Sequence, residues 1–282
     1  MANPSESSAK KFQSPHPVGP EVYSRDYFMS SLVEGYQEYA GSYGISPFKR
    51  TLVDMNDLKP GQLFLDIGCG RGEILFNAIE RGVRGVGLDY SWDAIMLTRE
   101  GLQSRNIDAH LLLADATRLP FKDGIFDRAF GGDLIEHLTL DSAAQCLLEA
   151  VRTTKSGGKF FVHTCPNVNF RRYLQPLIKI FFFVVGRKEA WLRMKEHLEC
   201  GRHVHVYEYN LPRLKRQVRH IKDNFNVQVT CWLSSDLLRG GHHLYAQEVA
   251  RFRLLKLLFD FVGKTPLKRI LSNDMYIAGT RL

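Results

Sequence analysis

The feature that most constrains this chain is a glycine-rich turn that joins an apolar run to a helical pattern, with the sequence LFLDIGCGRGEIL over residues 63–75. Because Gly68, Gly70 and Gly72 alternate, the backbone can take positive φ there, and a ligand can approach without meeting a Cβ atom. The helix that follows would direct free N–H groups at the turn, and Asp66 would end the preceding strand. The pattern predicts a strand, a turn and a helix around a ligand; a tight turn without a ligand is the alternative.

A second acidic residue supports the ligand-binding interpretation. The apolar run GVGL at residues 85–88 leads directly into Asp89. This acid follows the glycine turn by roughly 20 residues, where nucleotide-binding α/β folds hold ribose hydroxyls. The two acids would therefore lie at the ends of neighbouring strands.

The middle of the chain alternates between strand and helix patterns, which predicts a doubly wound α/β fold with right-handed crossovers. Strands are predicted at residues 62–66, 84–88, 108–113, 125–131 and 158–164, and helices at about 72–81, 92–104 and 141–154. Two further strands are predicted at 225–233 and 275–280. In such a sheet a ligand lies at the carboxyl ends of the strands, beside the switch point.

Four blocks in order resemble the motifs of the class I S-adenosylmethionine-dependent methyltransferases. The sequence LDIGCGRG at 65–72 resembles their first motif, and it departs from the dinucleotide pattern G-x-G-x-x-G because the third glycine comes one residue early. Asp89 matches their ribose-binding acid, residues 114–116 match the adenine-binding segment, and residues 126–138 match the fourth motif. The resemblance covers about residues 50–165.

This resemblance implies a seven-stranded, mostly parallel, doubly wound sheet of order 3-2-1-4-5-7-6 with helical lid insertions, ending in an antiparallel edge pair. It also implies S-adenosylmethionine as cofactor and S-adenosylhomocysteine as product. The implied cofactor residues are Asp66, Gly68, Cys69 and Gly70 for the amino-acid part, Asp89 and Tyr90 for the ribose and adenine, Asp115 and Ala116 for the adenine, and Gly132 and Asp133 for the methionine side.

Sequence patterns divide the chain into five segments. They are a disordered tail (1–20), an N-terminal cap of two helices (21–60), the cofactor-binding core (61–165), a lid insertion (166–206), and the rest of the sheet (207–282) with a helical insertion at 234–271. The lid contains the apolar run 174–185, and the insertion combines apolar residues at helical spacing with several Lys and Arg residues. Both would cover the protein itself; docking on a membrane surface, a partner or a second subunit in a homodimer is the alternative.

The composition of the chain indicates its cellular location and the kinds of partner it can bind. The five cysteines are scattered without a C-x-x-C pattern, which indicates reduced thiols in a cytoplasm. Neither a secretory signal nor an apolar run of about 18 residues is present, so a cytoplasmic location is expected. The net charge of +8 favours anionic partners, although a solubilising surface explains it equally well. DNA is not expected as a partner, and RNA is disfavoured because Cys165-Pro166-Asn167 is not the Asn/Asp-Pro-Pro-Tyr pattern of base N-methylating enzymes.

An acceptor hydroxyl needs a base, and imidazole has a suitable pKa. His137 is the best-placed candidate, with a structural histidine as the alternative, and His163 and His203 are its rivals. His203 and His205 would share one face of an extended segment, as metal ligands do. No carboxylate or cysteine completes a ligand set in the neighbouring sequence, so we predict no metal.

The leading hypothesis is a methyltransferase that acts on a small molecule, at a hydroxyl oxygen, in glycan or secondary-metabolite biosynthesis. The alternative is C- or O-methylation of an isoprenoid, quinone or lipid at a membrane surface, which the apolar lid favours. RNA methylation and a pseudoenzyme that only binds the cofactor are weaker alternatives, since the charge alone supports the first and the intact glycine turn opposes the second.

Overall fold

The computed structural model describes residues 18–200, 204–219, 221, 225–232 and 252–282. At its centre lies one sheet of seven strands. The strands are β1 Leu63–Ile67, β2 Arg84–Asp89, β3 His110–Leu113, β4 Phe126–Gly132, β5 Thr154–Thr164, β6 Phe225–Trp232 and β7 Asp274–Arg281. Their spatial order, β3-β2-β1-β4-β5-β7-β6, confirms the predicted order.

Helices lie on both faces of this sheet. They are α1 Arg25–Phe28, α2 Tyr36–Ser42, α3 Pro47–Met55, α4 Glu73–Ile79, α5 Trp92–Ser104, α6 Leu140–Thr153, α7 Gln175–Val184, α8 Lys188–Cys200, α9 Leu211–Gln217, α10 Arg253–Gly263 and α11 Lys268–Leu271. Short 3-10 turns span Pro20–Val22 and Ile135–His137, and a π-helical turn spans Phe170–Leu174.

Strand directions follow from the connections. The β1–β2, β1–β4, β2–β3 and β4–β5 pairs are parallel, whereas β7 runs antiparallel to both β5 and β6. Strand β5 begins at Thr154, four residues before the predicted start, because Thr154 already pairs with Phe126 across an irregular register. The carboxyl ends of β1 and β4, which carry Asp66 and Gly132, therefore meet at the same edge.

Two apolar layers fix the helices on the sheet. On one face, Phe48 and Leu52 of α3 pack with Leu75 of α4 against Phe64 and Phe130. On the other face, α6 and α9 pack against the sheet through residues such as Leu147 and Leu214, which are almost fully buried. Burial of one such side chain stabilises the fold by roughly 1.5–3 kcal/mol.

The N-terminal cap forms three short helices where two were expected. Gly35 and Tyr43 flank α2 in the left-handed region, with φ of 76° and 52°, so the chain turns at both ends of this helix. Ser46 then begins α3 by accepting a hydrogen bond from Lys49 N at 3.2 Å. These reversals place the cap over the carboxyl end of β1.

Several predictions concern residues beyond those the structure describes. They are residues 1–17 of the predicted tail, His203, residue 233 and residues 234–251 of the predicted insertion. Within the described part, α10 and α11 occupy the end of the insertion, and residues 174–200 of the lid form α7 and α8. None of the described helices is long and apolar enough to cross a membrane.

Candidate active site

The glycine turn at the end of β1 has the backbone conformation that its sequence predicts. Gly68, Gly70 and Gly72 have φ values of 73°, 53° and 85°. Gly72 is the N-cap of α4, and a Cβ atom there would lie 2.6 Å from the Phe76 ring, so no larger residue fits. A Cβ atom at Gly68 would lie 3.1 Å from Leu134, and one at Gly70 would lie 3.5 Å from Phe28, so the glycines let the cap and the segment after β4 pack close to the turn.

Asp66 lies beneath this turn as a buried carboxylate. It is 2 % exposed, and its Oδ2 atom has no hydrogen-bond partner. Burial, together with the nearby charge of Asp89, raises the pKa of Asp66 to about 8. A buried acceptor without a donor requires compensation, and a cationic ligand would supply it.

A cavity of about 230 Å³ lies above Asp66. Among the predicted cofactor residues, those that line it are Asp66, Gly68, Cys69, Gly70, Gly132 and Asp133. Tyr27, Phe28 and Leu32 of the cap line its opposite wall. The fold therefore assembles the motif on β1 and the motif after β4 around one enclosed space.

The remaining predicted cofactor residues lie beyond this cavity, at the ends of β2 and β3. Asp89 accepts hydrogen bonds from Gly70 N at 3.0 Å and Ser91 N at 2.9 Å, and burial raises its pKa. Tyr90 packs edge-on against Tyr23, with ring centroids 5.6 Å apart. The other two residues of the predicted adenine site follow β3, where Asp115 is exposed and Ala116 is buried.

The N-terminal segment crosses the same region. Ser91 Oγ donates to the carbonyl of Tyr23 at 2.6 Å, and Tyr90 Oη donates to the carbonyl of Val18 at 2.6 Å. Arg25 forms an ion pair with Glu100 of α5 at 2.7 Å. These contacts hold the segment against the end of β2, next to the predicted ribose site.

Arg71 is a residue whose role the sequence did not reveal. It is 2 % exposed, and it donates to the Phe28 carbonyl at 2.9 Å and to Glu73 Oε1 at 2.8 Å. It also donates to the carbonyl of Glu34, and its guanidinium lies 5.1 Å from the centre of the Tyr39 ring. Arg71 therefore ties the cap to the glycine turn, although a charged turn residue is ordinarily exposed.

His137, the leading candidate for the base, lines the cavity. Its Nδ1 atom lies 2.9 Å from Tyr23 Oη and 3.2 Å from the Val204 carbonyl. Burial and the neighbouring His205 lower the pKa of His137 to about 3, so the imidazole is neutral at physiological pH. A neutral ring offers a lone pair, but a group with so low a pKa is a weak base.

Glu136 and His205, which were not among the predicted catalytic residues, line the cavity beside His137. Glu136 Oε2 accepts a hydrogen bond from Thr164 Oγ1 at 2.8 Å, and burial and the charge of Asp133 raise the pKa of Glu136 to about 8. Glu136 could have been predicted from the sequence, because it directly precedes His137 in the fourth motif. Only the fold brings His205 to them.

His163 lies outside the cavity lining. It is fully buried, with Nδ1 2.9 Å from Asp133 Oδ1 and Nε2 3.2 Å from Asp274 Oδ1. Burial acts to lower its pKa, but the two carboxylates outweigh that effect and raise it to about 10. This placement favours a structural role over the predicted catalytic one, and the third candidate, His203, is outside the described residues.

Comparisons with known proteins agree with this architecture. Residues 64–158 match a family model described as a methyltransferase domain. The phosphoethanolamine N-methyltransferase of Triticum aestivum is 35% identical over 103 residues, which are 36% of this chain and 20% of that protein. The demethylmenaquinone methyltransferase of Renibacterium salmoninarum is 31% identical over 118 residues, 41% of this chain and 46% of that protein. The chain thus spans less than half the length of either relative.

A solved structure extends the likeness to the whole fold. Geranyl diphosphate C-methyltransferase from Streptomyces coelicolor A3(2) superposes with a TM-score of 0.54 at 17% identity, covering 95% of this chain and 91% of that one. This likeness concerns the fold, and it agrees with the observed strand order. Residues 64–158 therefore form a methyltransferase domain, and the sheet around it has the fold of the class I S-adenosylmethionine-dependent methyltransferases, whose cofactor is S-adenosylmethionine.

Proposed function

We propose that this protein transfers a methyl group from S-adenosylmethionine to a hydroxyl oxygen of a small-molecule acceptor. The observation that carries the proposal is the unpartnered Oδ2 atom of Asp66 beneath the glycine turn, in a cavity that continues to Glu136 and His137. The cofactor supplies a methyl group on a cationic sulfur, so the protein has to position the acceptor and accept its proton.

The residues of the turn fit the amino-acid part of the cofactor. Asp66 Oδ2, which has no hydrogen-bond partner, would accept from its ammonium group, and Gly68 and Gly70 add no Cβ atom to the turn. Asp89 lies where a ribose would bind, and its two oxygens are held in place by the amides of Gly70 and Ser91. These contacts support the predicted division of roles between the two acids.

The acceptor end of the cavity combines apolar and polar groups. Tyr27, Phe28 and Leu32 form a wall suited to a ring or an alkyl chain. Glu136 and His137 face the same space, and the unpartnered Glu136 Oε1 is a hydrogen-bond acceptor. A hydroxyl-bearing acceptor suits this lining, because its O–H group would donate to that atom.

The cofactor assignment is tested by calorimetry with S-adenosylmethionine and S-adenosylhomocysteine. Wild type should bind both. Asp89→Ala should weaken binding by about 10- to 100-fold, because the two ribose hydroxyls of the cofactor lose the charged acceptor of their hydrogen bonds. Asp108→Ala, which removes an exposed acid, is the matched control and should bind normally.

Turnover with a panel of hydroxylated small molecules, prenylated lipids and transfer RNA then identifies the acceptor class. Formation of S-adenosylhomocysteine only with RNA would contradict the small-molecule proposal. Absence of cofactor binding by wild type would contradict the enzymatic function as a whole.

A second candidate function is methylation of a lipid-like acceptor at an anionic membrane surface. On α7, Leu177 is 59 % exposed, Ile180 is 58 % exposed and Phe183 is 46 % exposed. On α10, Leu257, Leu258 and Phe261 are 56 %, 52 % and 65 % exposed. The rings of Phe181 and Phe252 lie 5.1 Å apart, which places the two apolar surfaces side by side.

Basic residues lie on the helices of this apolar surface and on α11, which favours an anionic lipid surface over an uncharged one. Lys179 lies on α7, Lys256 on α10, and Lys268 and Arg269 on α11. A basic border around exposed apolar side chains is typical of segments that bind anionic bilayers.

Cosedimentation with vesicles tests the membrane candidate. The double variant Leu177→Asp/Ile180→Asp should bind vesicles of anionic phospholipid at least about tenfold more weakly than wild type, since each buried aliphatic side chain contributes roughly 1.5–3 kcal/mol. Leu148→Asp changes an exposed leucine on α6 and should have no effect. If wild type does not sediment with anionic vesicles, this candidate is wrong, whereas the soluble small-molecule acceptor stands.

A further inference from the structure

Three side chains with metal-binding chemistry meet at the acceptor end of the cavity. Glu136 and His137 come from the 3-10 turn after β4, and His205 comes from the segment between α8 and α9. One ligand atom from each lies within 4.8 Å of the other two, and the two imidazole rings have centroids 5.0 Å apart. Ligand atoms of a tetrahedral zinc ion lie roughly 3.4 Å apart, so each pair of these atoms would have to approach by up to about 1.4 Å to share one ion.

The carboxylate of this cluster has an oxygen without a partner. Glu136 is 1 % exposed, and Oε1 makes no hydrogen bond, whereas Oε2 is held by Thr164 Oγ1 at 2.8 Å. An unpartnered buried oxygen costs about 1–3 kcal/mol. A cation between the carboxylate and the two imidazoles would provide the missing partner.

The surroundings of the cluster hold its members in place. His137 Nδ1 is occupied by the Val204 carbonyl and Tyr23 Oη, which leaves Nε2 for another partner. Metal-binding histidines are usually oriented in this way, by a hydrogen bond from the second ring nitrogen to a carbonyl. The Glu136 carbonyl in turn accepts from the amides of Val206 and Tyr207 at 2.8 and 3.0 Å, which fixes the segment that carries His205.

We propose that Glu136, His137 and His205 bind a divalent metal ion of the zinc type. Two imidazoles and one carboxylate are a ligand set for borderline transition metals such as Zn²⁺ rather than for Mg²⁺ or Ca²⁺, which prefer oxygen alone. Three protein ligands leave a coordination position open toward the cavity. We predicted no metal from the sequence because we found no complete ligand set around His203 and His205, whereas the fold brings Glu136 and His137 to His205.

The consequence for substrate choice rests on the proposed function. An acceptor hydroxyl at the open position would be held by the ion and made more acidic, as water is on zinc. The site would then select acceptors that bear a hydroxyl group over acceptors that lack one. Binding of the ion itself does not depend on this step.

Metal titration of tag-free, chelator-treated protein tests the proposal. Wild type should bind about one equivalent of Zn²⁺, and Co²⁺ should give the visible absorption of a site with nitrogen and oxygen ligands. His205→Ala and Glu136→Gln should weaken Zn²⁺ binding by at least about 100-fold and abolish the cobalt spectrum, because each removes a ligand. His110→Ala, an exposed histidine on β3, is the matched control and should retain both signals.

Circular dichroism and calorimetry with S-adenosylhomocysteine on the same samples separate the possible failures. A folded wild type that binds S-adenosylhomocysteine but no Zn²⁺ would overturn the metal site and leave the proposed function standing. Zn²⁺ binding that persists in both folded ligand variants would also overturn it. Zn²⁺ binding without cofactor binding would support the metal site and contradict the proposed function.

Discussion

Replacing Asp66 by asparagine should weaken binding of S-adenosylmethionine by at least about 100-fold, since removing one charge from a buried ion pair costs about 3 kcal/mol. The side chain keeps its shape and its place beneath the glycine turn, so the effect isolates the charge. Calorimetry with S-adenosylmethionine measures it directly. Asp108→Asn removes an exposed charge and should bind as wild type does.

The same residue makes binding depend on pH. Burial and Asp89 raise the pKa of Asp66 to about 8, so below that pH the ligand's ammonium group must displace a proton. Wild-type affinity should therefore fall as pH decreases from 8 to 6, by up to about tenfold per pH unit. Asp66→Asn should lack this dependence.

Stability should change in the opposite direction. The unfolded carboxyl loses its proton near pH 4, whereas the folded carboxyl keeps it until about pH 8, so this group lowers the free energy of unfolding as pH rises between those values. Without ligand, Asp66→Asn should therefore be more stable than wild type at pH 8, by several kcal/mol, and no more stable at pH 4. Wild-type affinity in this variant, or an equal gain in stability at both pH values, would contradict the assigned role.

Replacing Arg71 by methionine should lower the free energy of unfolding by about 3 kcal/mol. The guanidinium is buried among Glu73 and the carbonyls of Phe28 and Glu34, and methionine leaves those groups without their donor. Lys49, which lies 2.9 Å from Glu73, still neutralises that carboxylate. The decrease in the free energy of unfolding should therefore be smaller than the largest decreases seen when one partner of a buried ion pair is removed. The cap should therefore detach from the glycine turn before the sheet unfolds.

Urea unfolding and amide hydrogen exchange together measure this effect. Protection in α2 and α3 should fall more than protection in β1, because the lost contacts join the cap to the turn. Arg84→Met, at the exposed start of β2, is the control and should change stability by less than about 0.5 kcal/mol. A similarly small change in Arg71→Met would show that Arg71 does not hold the cap.

Much of the architecture could be predicted from the sequence because local patterns encode it. The apolar runs before Asp66 and Asp89, the alternating glycines and the strand–helix repeat each depend on neighbours along the chain. Right-handed crossovers then leave few topologies, so the strand order and the shared edge of Asp66 and Gly132 followed. The start of β5 and the number of cap helices could not be predicted in this way. Pairing between strands decides the first, and residues in the left-handed region, such as Tyr43, decide the second.

What only the tertiary structure decided concerns charged and polar side chains whose partners lie far away in the chain. His163 and His137 were both candidate bases, yet one lies between Asp133 and Asp274 and the other faces the cavity. Likewise, Arg71 is buried by carbonyls of the cap, and His205 reaches Glu136 through the segment after α8. Burial and long-range contacts set the pKa and the partners of such groups, and neither can be inferred from their neighbours in the sequence.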